Sequence, residues 1–402
     1  MPRTSCRRSV ALCMPIVCGA MIAWTDGCAP SKRPSEPALP PVVEPVLRPR
    51  PESTLAVTPE SSVPVAPSAI AALPPPKPTT IALGRTGQTE LDPMLHDADR
   101  AFEEGDYDRA LAGYESAKKQ APKLAAPRVG IARVRVYRAC PTLGFALAEK
   151  HPEVQAAARA LERAVELEPG FGPAHVELGR ARLLLGDALR AERALVRGVE
   201  LLSDEPEAHS ALGIALLASG KIERALPSLK RARDLDPGSA ARRGNYGTVL
   251  FLSGRIEEAR AEYEVQLTLT PDDARAHSDF GTALLAAGDV EQATAELRRA
   301  IELDPKRAAF HSNFGYALQL QGKLSEAITH YREALAIDPK LASAWINLAT
   351  ALSRNPKTRG EARRALLTAG GLDPTDPRVK ANLEELDALE RQAGAPVRQD
   401  RR

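Results

Sequence analysis

The sequence predicts an all-α protein, a superhelical solenoid of stacked helix-turn-helix units closed by a C-terminal helix, and three observations carry that prediction. Small residues and proline recur with a step of 34 residues: Gly179, Gly213, Gly247, Gly281 and Gly315; Gly186, Gly220, Gly254, Gly288 and Gly322; Ala191, Ala225, Ala259, Ala293 and Ala327; Pro169, Pro237, Pro271, Pro305 and Pro339, with Ser203 in the one vacant proline slot. Within a period the apolar residues follow helical spacing, interrupted by a glycine and ended by proline. Hydrophobic residues make up 44% of the chain but aromatics only 4%, so the apolar content is mostly alanine and leucine, which suits thin helical layers better than one large core.

One copy, residues 308–341, shows why each element forms. With Ala308 as position 1, His311, Phe314, Gly315 and Leu318 occupy positions 4, 7, 8 and 11, one face of a first helix. Gly315 has no side chain, so the partner helix can approach closely. Gly322 at position 15 stops the helix, because glycine takes the left-handed conformation at little cost. A second helix follows a polar residue and ends at Asp338-Pro339, since proline disfavours helical geometry before it. A lone hairpin cannot bury its apolar stripe, whereas a stack can.

This pattern resembles the tetratricopeptide repeat, which has a large or aromatic residue at position 4, leucine at 7, glycine at 8, alanine at 20, an aromatic or leucine at 24, alanine at 27 and proline at 32. Those slots hold His311, Phe314, Gly315, Ala327, Tyr331, Ala334 and Pro339 in residues 308–341; Gly198 and Gln266 replace the position-27 alanine elsewhere. The resemblance implies a right-handed superhelix whose concave groove, lined by positions 6, 9 and 13 of the first helices, binds a protein or an extended peptide. Position 6 holds Asn245, Asp279, Asn313 and Asn347, and position 9 holds Thr248, Thr282, Tyr316 and Thr350. This row is similar to the asparagine ladder of O-linked N-acetylglucosamine transferases, which grips a peptide by its backbone, and a carboxamide offers a donor and an acceptor as a peptide unit does. The alternative is that asparagine is simply a tolerated groove residue. Glu177 and Ala211 interrupt the row toward the N-terminus.

In chain order, residues 1–28 read as an export signal: Arg3, Arg7 and Arg8 precede an uncharged run from Ser9 to Trp24. At 16 residues that run is short for a membrane span, which needs about 20. Gly27-Cys28 resembles a bacterial lipoprotein site, with Cys28 as the lipidated residue, although Thr25 and Asp26 depart from it. Cleavage by the ordinary signal peptidase and an uncleaved short anchor are the other two readings, and all three place the mature chain outside the cytoplasm, on the periplasmic side of a bacterial envelope. Residues 29–90 hold 15 prolines and few large apolar residues, the composition of a disordered linker that extends about 3.1 Å per residue. Eight repeats span residues 91–376. The second, residues 125–171, carries 13 extra residues near 139–151, either a locally packed loop or a partner-specific protrusion. The eighth loses its glycine turn to Asn355-Pro356. Residues 377–393 form a capping helix, with a disordered tail at 394–402.

A net charge of +2 gives no nucleic-acid-binding excess. Four of the five cysteines lie in the first 28 residues, which excludes a disulfide framework. The position-4 histidines, His175, His209, His277 and His311, stand a repeat or more apart, roughly 8–10 Å or farther, too far to share one zinc ion at about 2 Å. No catalytic, cofactor or metal motif appears, and the repeats leave no room for a catalytic domain. The expectation is a membrane-tethered, non-catalytic scaffold, as in bacterial tetratricopeptide lipoproteins of envelope or pilus assembly. The alternative is a substrate-recruiting subunit of an enzyme whose catalytic chain is separate.

Overall fold

The computed structural model describes residues 80–84, 86–87, 90–139 and 151–394. Residues 1–28 with Cys28, most of the proline-rich stretch, residues 140–150 of the insertion with Cys140, and the tail from 395 lie outside the described residues. Seventeen α-helices and no strand occur among the described residues. They pair as α1 (Asp92–Glu103) with α2 (Tyr107–Gln120), α3 (Ala126–Ala139) with α4 (Pro152–Leu167), α5 (Gly172–Leu184) with α6 (Ala188–Leu201), and α7 (Pro206–Ala218) with α8 (Ile222–Leu235). The series continues with α9 (Ala240–Leu252) and α10 (Ile256–Leu269), α11 (Ala274–Ala287) and α12 (Val290–Leu303), α13 (Ala308–Leu320) and α14 (Leu324–Ile337), and α15 (Ala342–Ser353) and α16 (Arg359–Leu372). The last helix is α17 (Pro377–Gly394). Each helix packs on its hairpin partner and on the next hairpin, so the core is a continuous ribbon between layers.

The two recurrent glycines do different work. Those at position 15 sit at φ between 70° and 93°, the left-handed region. Asp106, Asp187 and Asp289 then cap the second helix by accepting a backbone N–H three residues on. Those at position 8 clear a path for position 24: a Cβ on Gly179 would lie 2.3 Å from Leu195, and one on Gly315 would lie 2.8 Å from Tyr331.

Both departures at position 27 are compensated at position 5. Where Gly198 is small, Val176 fills the space; where Gln266 is large, Gly244 gives way, since a Cβ there would meet the amide at 2.6 Å. Close packing makes such volume exchanges necessary.

Position 4 is a side-chain N–H donor rather than a packing aromatic. Arg128, His175, His209, Arg243, His277, His311 and Trp345 each direct a nitrogen at the carbonyl six residues earlier, at 2.8–2.9 Å. Histidine, arginine and tryptophan share that chemistry, which satisfies a carbonyl that the following turn leaves without a helical partner.

At the C-terminal end, a short 3-10 helix at Pro356–Thr358 replaces the glycine turn, held by Asn355 accepting from Lys357 N–H. The cap α17 buries Leu386 and ties down through Arg363 to Asp387 and Glu390. No helix among the described residues is long and apolar enough to cross a membrane.

One boundary differs from expectation. The linker expected to run through residue 90 ends earlier, because residues 80–84 and 86–87 pack on α1. Leu83 is fully buried with Leu95 and Phe102, and Ile81 joins the apolar cluster of the middle repeats. Only two large apolar side chains, spaced two apart as in an extended chain, mark this stretch in the sequence. Burying them contributes roughly 1.5–3 kcal/mol each.

Candidate functional site

Residues 80–84 and 86–87 run antiparallel to α1 across positions 13, 9 and 2 of the first repeat. Thr80 donates to Glu103 at 3.0 Å, Leu83 N–H to Asp99 at 2.6 Å, and Thr86 N–H to Asp92 at 2.9 Å. Gly84 lies so close to α1 that a Cβ would sit 2.8 Å from the Asp92 carbonyl and the His96 ring. From the second repeat, Arg133 Nη2 donates to the Ile81 carbonyl at 2.8 Å. The groove at this end therefore already holds an extended backbone, with a carboxylate taking its N–H and a guanidinium serving its carbonyl.

Arg133 begins a line of charges along the repeats. It is 1% exposed, faces Asp99 at 3.5 Å and donates to Glu177 at 2.8 Å. Arg180, a turn beyond Glu177, pairs with Glu207 at 2.9 Å; Arg242 reaches Glu207 at 3.4 Å and Asp236 at 3.1 Å. Signs alternate throughout, as buried charges require. Burial pushes the Glu177 carboxyl up, but Arg133 and Arg180 outweigh it and hold it below the usual range. At Glu207 burial wins over Arg180 and Arg242, and its pKa rises. Burial also raises the Tyr114 phenol, which donates to Asp99 at 2.6 Å. A hollow of about 100 Å³ opens beside this line, between Tyr137, Glu177, Arg180, Glu207 and Ile214.

In the second half three of the four position-6 side chains are neutral, Asp279 being the exception. Asn245, Asn313 and Asn347 each donate their amide N–H to a serine of the preceding repeat, Ser210, Ser278 and Ser312, at 3.2–3.4 Å. Asn313 also reaches Thr282 at 3.4 Å. The row is thus a set of inter-repeat links, which neither sequence reading anticipated. The pairing has a sequence signature: each asparagine follows a serine by 35 residues, and Asp279, whose counterpart is Gly244, has no such serine. Thr248, Thr282 and Thr350 turn their hydroxyls back to the carbonyl four residues earlier. Tyr316 is largely buried. A wider groove of about 510 Å³ lies between the sixth and seventh repeats, lined by Arg275, Asp279, Arg307, Phe310, Asn313 and Leu341. Asp279 faces Arg275 at 3.4 Å, yet burial holds its carboxyl above the usual range.

The charge line and the docked segment were missed by sequence reasoning. Arg133 and Glu177 occupy different positions of their repeats, 9 and 6, and the insertion in the second repeat puts them 44 residues apart, so no 34-residue step relates them.

A family model described as "Tetratricopeptide repeat" matches residues 216–278, and one described as "TPR repeat" matches 281–322 and 315–355. No curated protein matches the sequence. Among solved structures, the APC/C hetero-tetramer Cut9-Hcn1 is similar with a TM-score of 0.55 and 19% identity over 67% of this chain, which spans 50% of that one. YrrB, described as a TPR protein with an unusual peptide-binding site, has a TM-score of 0.36 at 22% identity over 48% of this chain and 99% of that one. Pseudomonas aeruginosa pilF has a TM-score of 0.44 at 20% identity over 53% and 97%. At these identities the likeness concerns the fold.

Proposed function

We propose, because the chain is a tetratricopeptide repeat protein, that it is a non-catalytic scaffold which holds an extended peptide or protein segment in the concave groove of its third to eighth repeats. Tetratricopeptide repeat domains bind proteins or peptides and are generally non-catalytic. One observation carries the reading: the groove's first repeats already grip an extended backbone, the chain's own residues 81–83, through Asp99 and Arg133. The same face continues as the open groove near Asp279 and Arg307. In our reading Asn245, Asp279, Asn313, Asn347, Thr248, Thr282, Tyr316 and Thr350 shape that groove. The asparagines act chiefly by fixing its curvature, so the alternative of a substrate-recruiting subunit loses the ladder that favoured it.

The scaffold works outside the cytoplasm on a membrane tether. This rests on the export signal of residues 1–28, on Cys28 as a lipidation site, and on the proline-rich stretch as a spacer. Envelope or pilus assembly is the setting that fits such a tether by analogy of architecture alone.

Selection of random peptides on the full chain tests the groove. Peptides that bind should lose affinity at least about tenfold to Ala309→Trp, which fills the open groove, since tenfold is only about 1.4 kcal/mol. Unchanged binding by that variant would refute the assignment. For the tether, Cys28→Ser should move the chain from the membrane to the soluble fraction; retention at the membrane would rule out lipidation as the anchor.

A further inference from the structure

On the seventh repeat, one side chain of α13 and two of α14 converge. His311 Nε2 lies 2.9 Å from the Pro305 carbonyl. A carbonyl only accepts, so Nε2 carries the hydrogen and a neutral His311 presents a lone pair at Nδ1. That Nδ1 stands 3.1 Å from Glu333 Oε2, and His330 Nδ1 stands 2.8 Å from the same oxygen. One donor atom from each of the three residues lies within 4.8 Å of the other two. The imidazoles stack with centroids 5.8 Å apart, and the ring of Phe314 meets His330 edge-on at 4.8 Å.

Two imidazole nitrogens thus converge on a single carboxylate oxygen. His330 Nδ1, buried, makes no hydrogen bond to that oxygen despite the close approach, and the His311 lone pair faces an oxygen lone pair. A positive centre between them resolves the conflict. We propose that His311, His330 and Glu333 bind a divalent transition-metal ion of the zinc type through two Nδ1 atoms and one carboxylate oxygen. Two histidines and a glutamate are a recognised zinc donor set, at about 2.0–2.2 Å from the ion. Around a tetrahedral ion with those bonds, donors stand about 3.3 Å apart, and the two nitrogen–oxygen distances here, 3.1 and 2.8 Å, are a few tenths of an ångström shorter. The Pro305 carbonyl supplies the outer hydrogen bond that fixes a ligating histidine's tautomer and direction. Glu333 is 46% exposed on its side chain, so the fourth position faces solvent, where water or a group from another molecule can complete the shell.

The sixth repeat is an internal control. His277 is wired identically, with Nε2 at 2.9 Å from the Pro271 carbonyl and Nδ1 at 2.7 Å from Glu296. Glu296, however, occupies the slot where the seventh repeat has His330, so only two donors meet there. The cluster escaped the sequence because histidines were compared between copies, whereas this one forms within a copy.

The test is titration of the metal-stripped full chain with Co²⁺, read by the visible absorption of a tetrahedral site, and with Zn²⁺ by calorimetry. Wild type should take up an equivalent that His330→Gln and Glu333→Gln bind at least about 10–100-fold more weakly, the loss that even an outer-shell partner causes. His277→Gln should retain it. All the cysteines are common to these chains, so the difference reads this cluster alone. Equal uptake by wild type and His330→Gln, or the same loss in His277→Gln, would overturn the proposal and leave a proton as the positive centre.

Discussion

The two halves of the concave surface solve one problem in opposite ways. In repeats one to four, adjacent layers are joined by buried ions, Asp99, Arg133, Glu177, Arg180 and Glu207, the last reached also by Arg242 of the fifth repeat, with the chain's own Ile81 and Leu83 laid across the first of them. Farther along, neutral serine–asparagine bonds join the fourth repeat to the fifth, the sixth to the seventh and the seventh to the eighth, and the groove between the sixth and seventh stays open. Buried ions demand complete, directional pairing, so an exchangeable occupant there would strand a charge. Neutral amides and hydroxyls tolerate an occupant that comes and goes. The difference separates an end that is fixed and closed from a stretch suited to exchange.

The largest expected effect breaks the first half. Arg133→Ala leaves Asp99 and Glu177 buried without their shared cation and strips the Ile81 carbonyl of its donor. It should destabilise the chain by about 3–5 kcal/mol in chemical denaturation. A cost below about 1 kcal/mol would mean the ion line is not structurally required.

Next in size is the packing exchange in the fifth repeat. Gly244→Ala should cost about 1–3 kcal/mol by overpacking against Gln266. Adding Gln266→Ala, which restores the small residue usual at position 27, should recover most of that loss. Additive effects in this double-mutant cycle would contradict the compensation.

Much of this was legible beforehand. The 34-residue step located the helices, the left-handed glycines at position 15 and the close approach at position 8, because those features repeat in sequence as they do in space. Position 4 was harder to read: histidine, arginine and tryptophan look unrelated until one sees that each supplies an N–H to the same carbonyl. The serine–asparagine links were present as a 35-residue spacing that no single copy displays. The docked residues 80–84 and 86–87 were not legible, since two large apolar side chains after fifteen prolines give too short a pattern to distinguish a packed segment from linker.

A smaller effect sharpens the comparison in the second half. Asn347→Ala removes one neutral link and should cost about 0.5–1.5 kcal/mol, several times less than Arg133→Ala. A loss as large as that of Arg133→Ala would erase the distinction between the halves.

The smallest effect depends on pH. The Asp279 carboxyl is raised by burial, so its ionised form is disfavoured in the folded chain. The stability it contributes is full below its unfolded pKa and is lost as pH rises through the folded value. Asp279→Asn should therefore raise Tm slightly at neutral pH, with the difference shrinking as pH falls through that raised value. Glu177 has the opposite sign: its contribution is present above the unfolded pKa and fades as pH falls through its lowered folded value. A neutral-pH Tm for Asp279→Asn below that of wild type would show that the Arg275 pair outweighs burial.

Site-specific photo-crosslinking with a selected peptide tests most directly whether the open groove is where a partner sits. A photoreactive residue at Arg275, on the groove, should capture the peptide, and one at Leu189, 61% exposed on the second helix of the third repeat, should not. Capture from Leu189 with none from Arg275 would contradict the account.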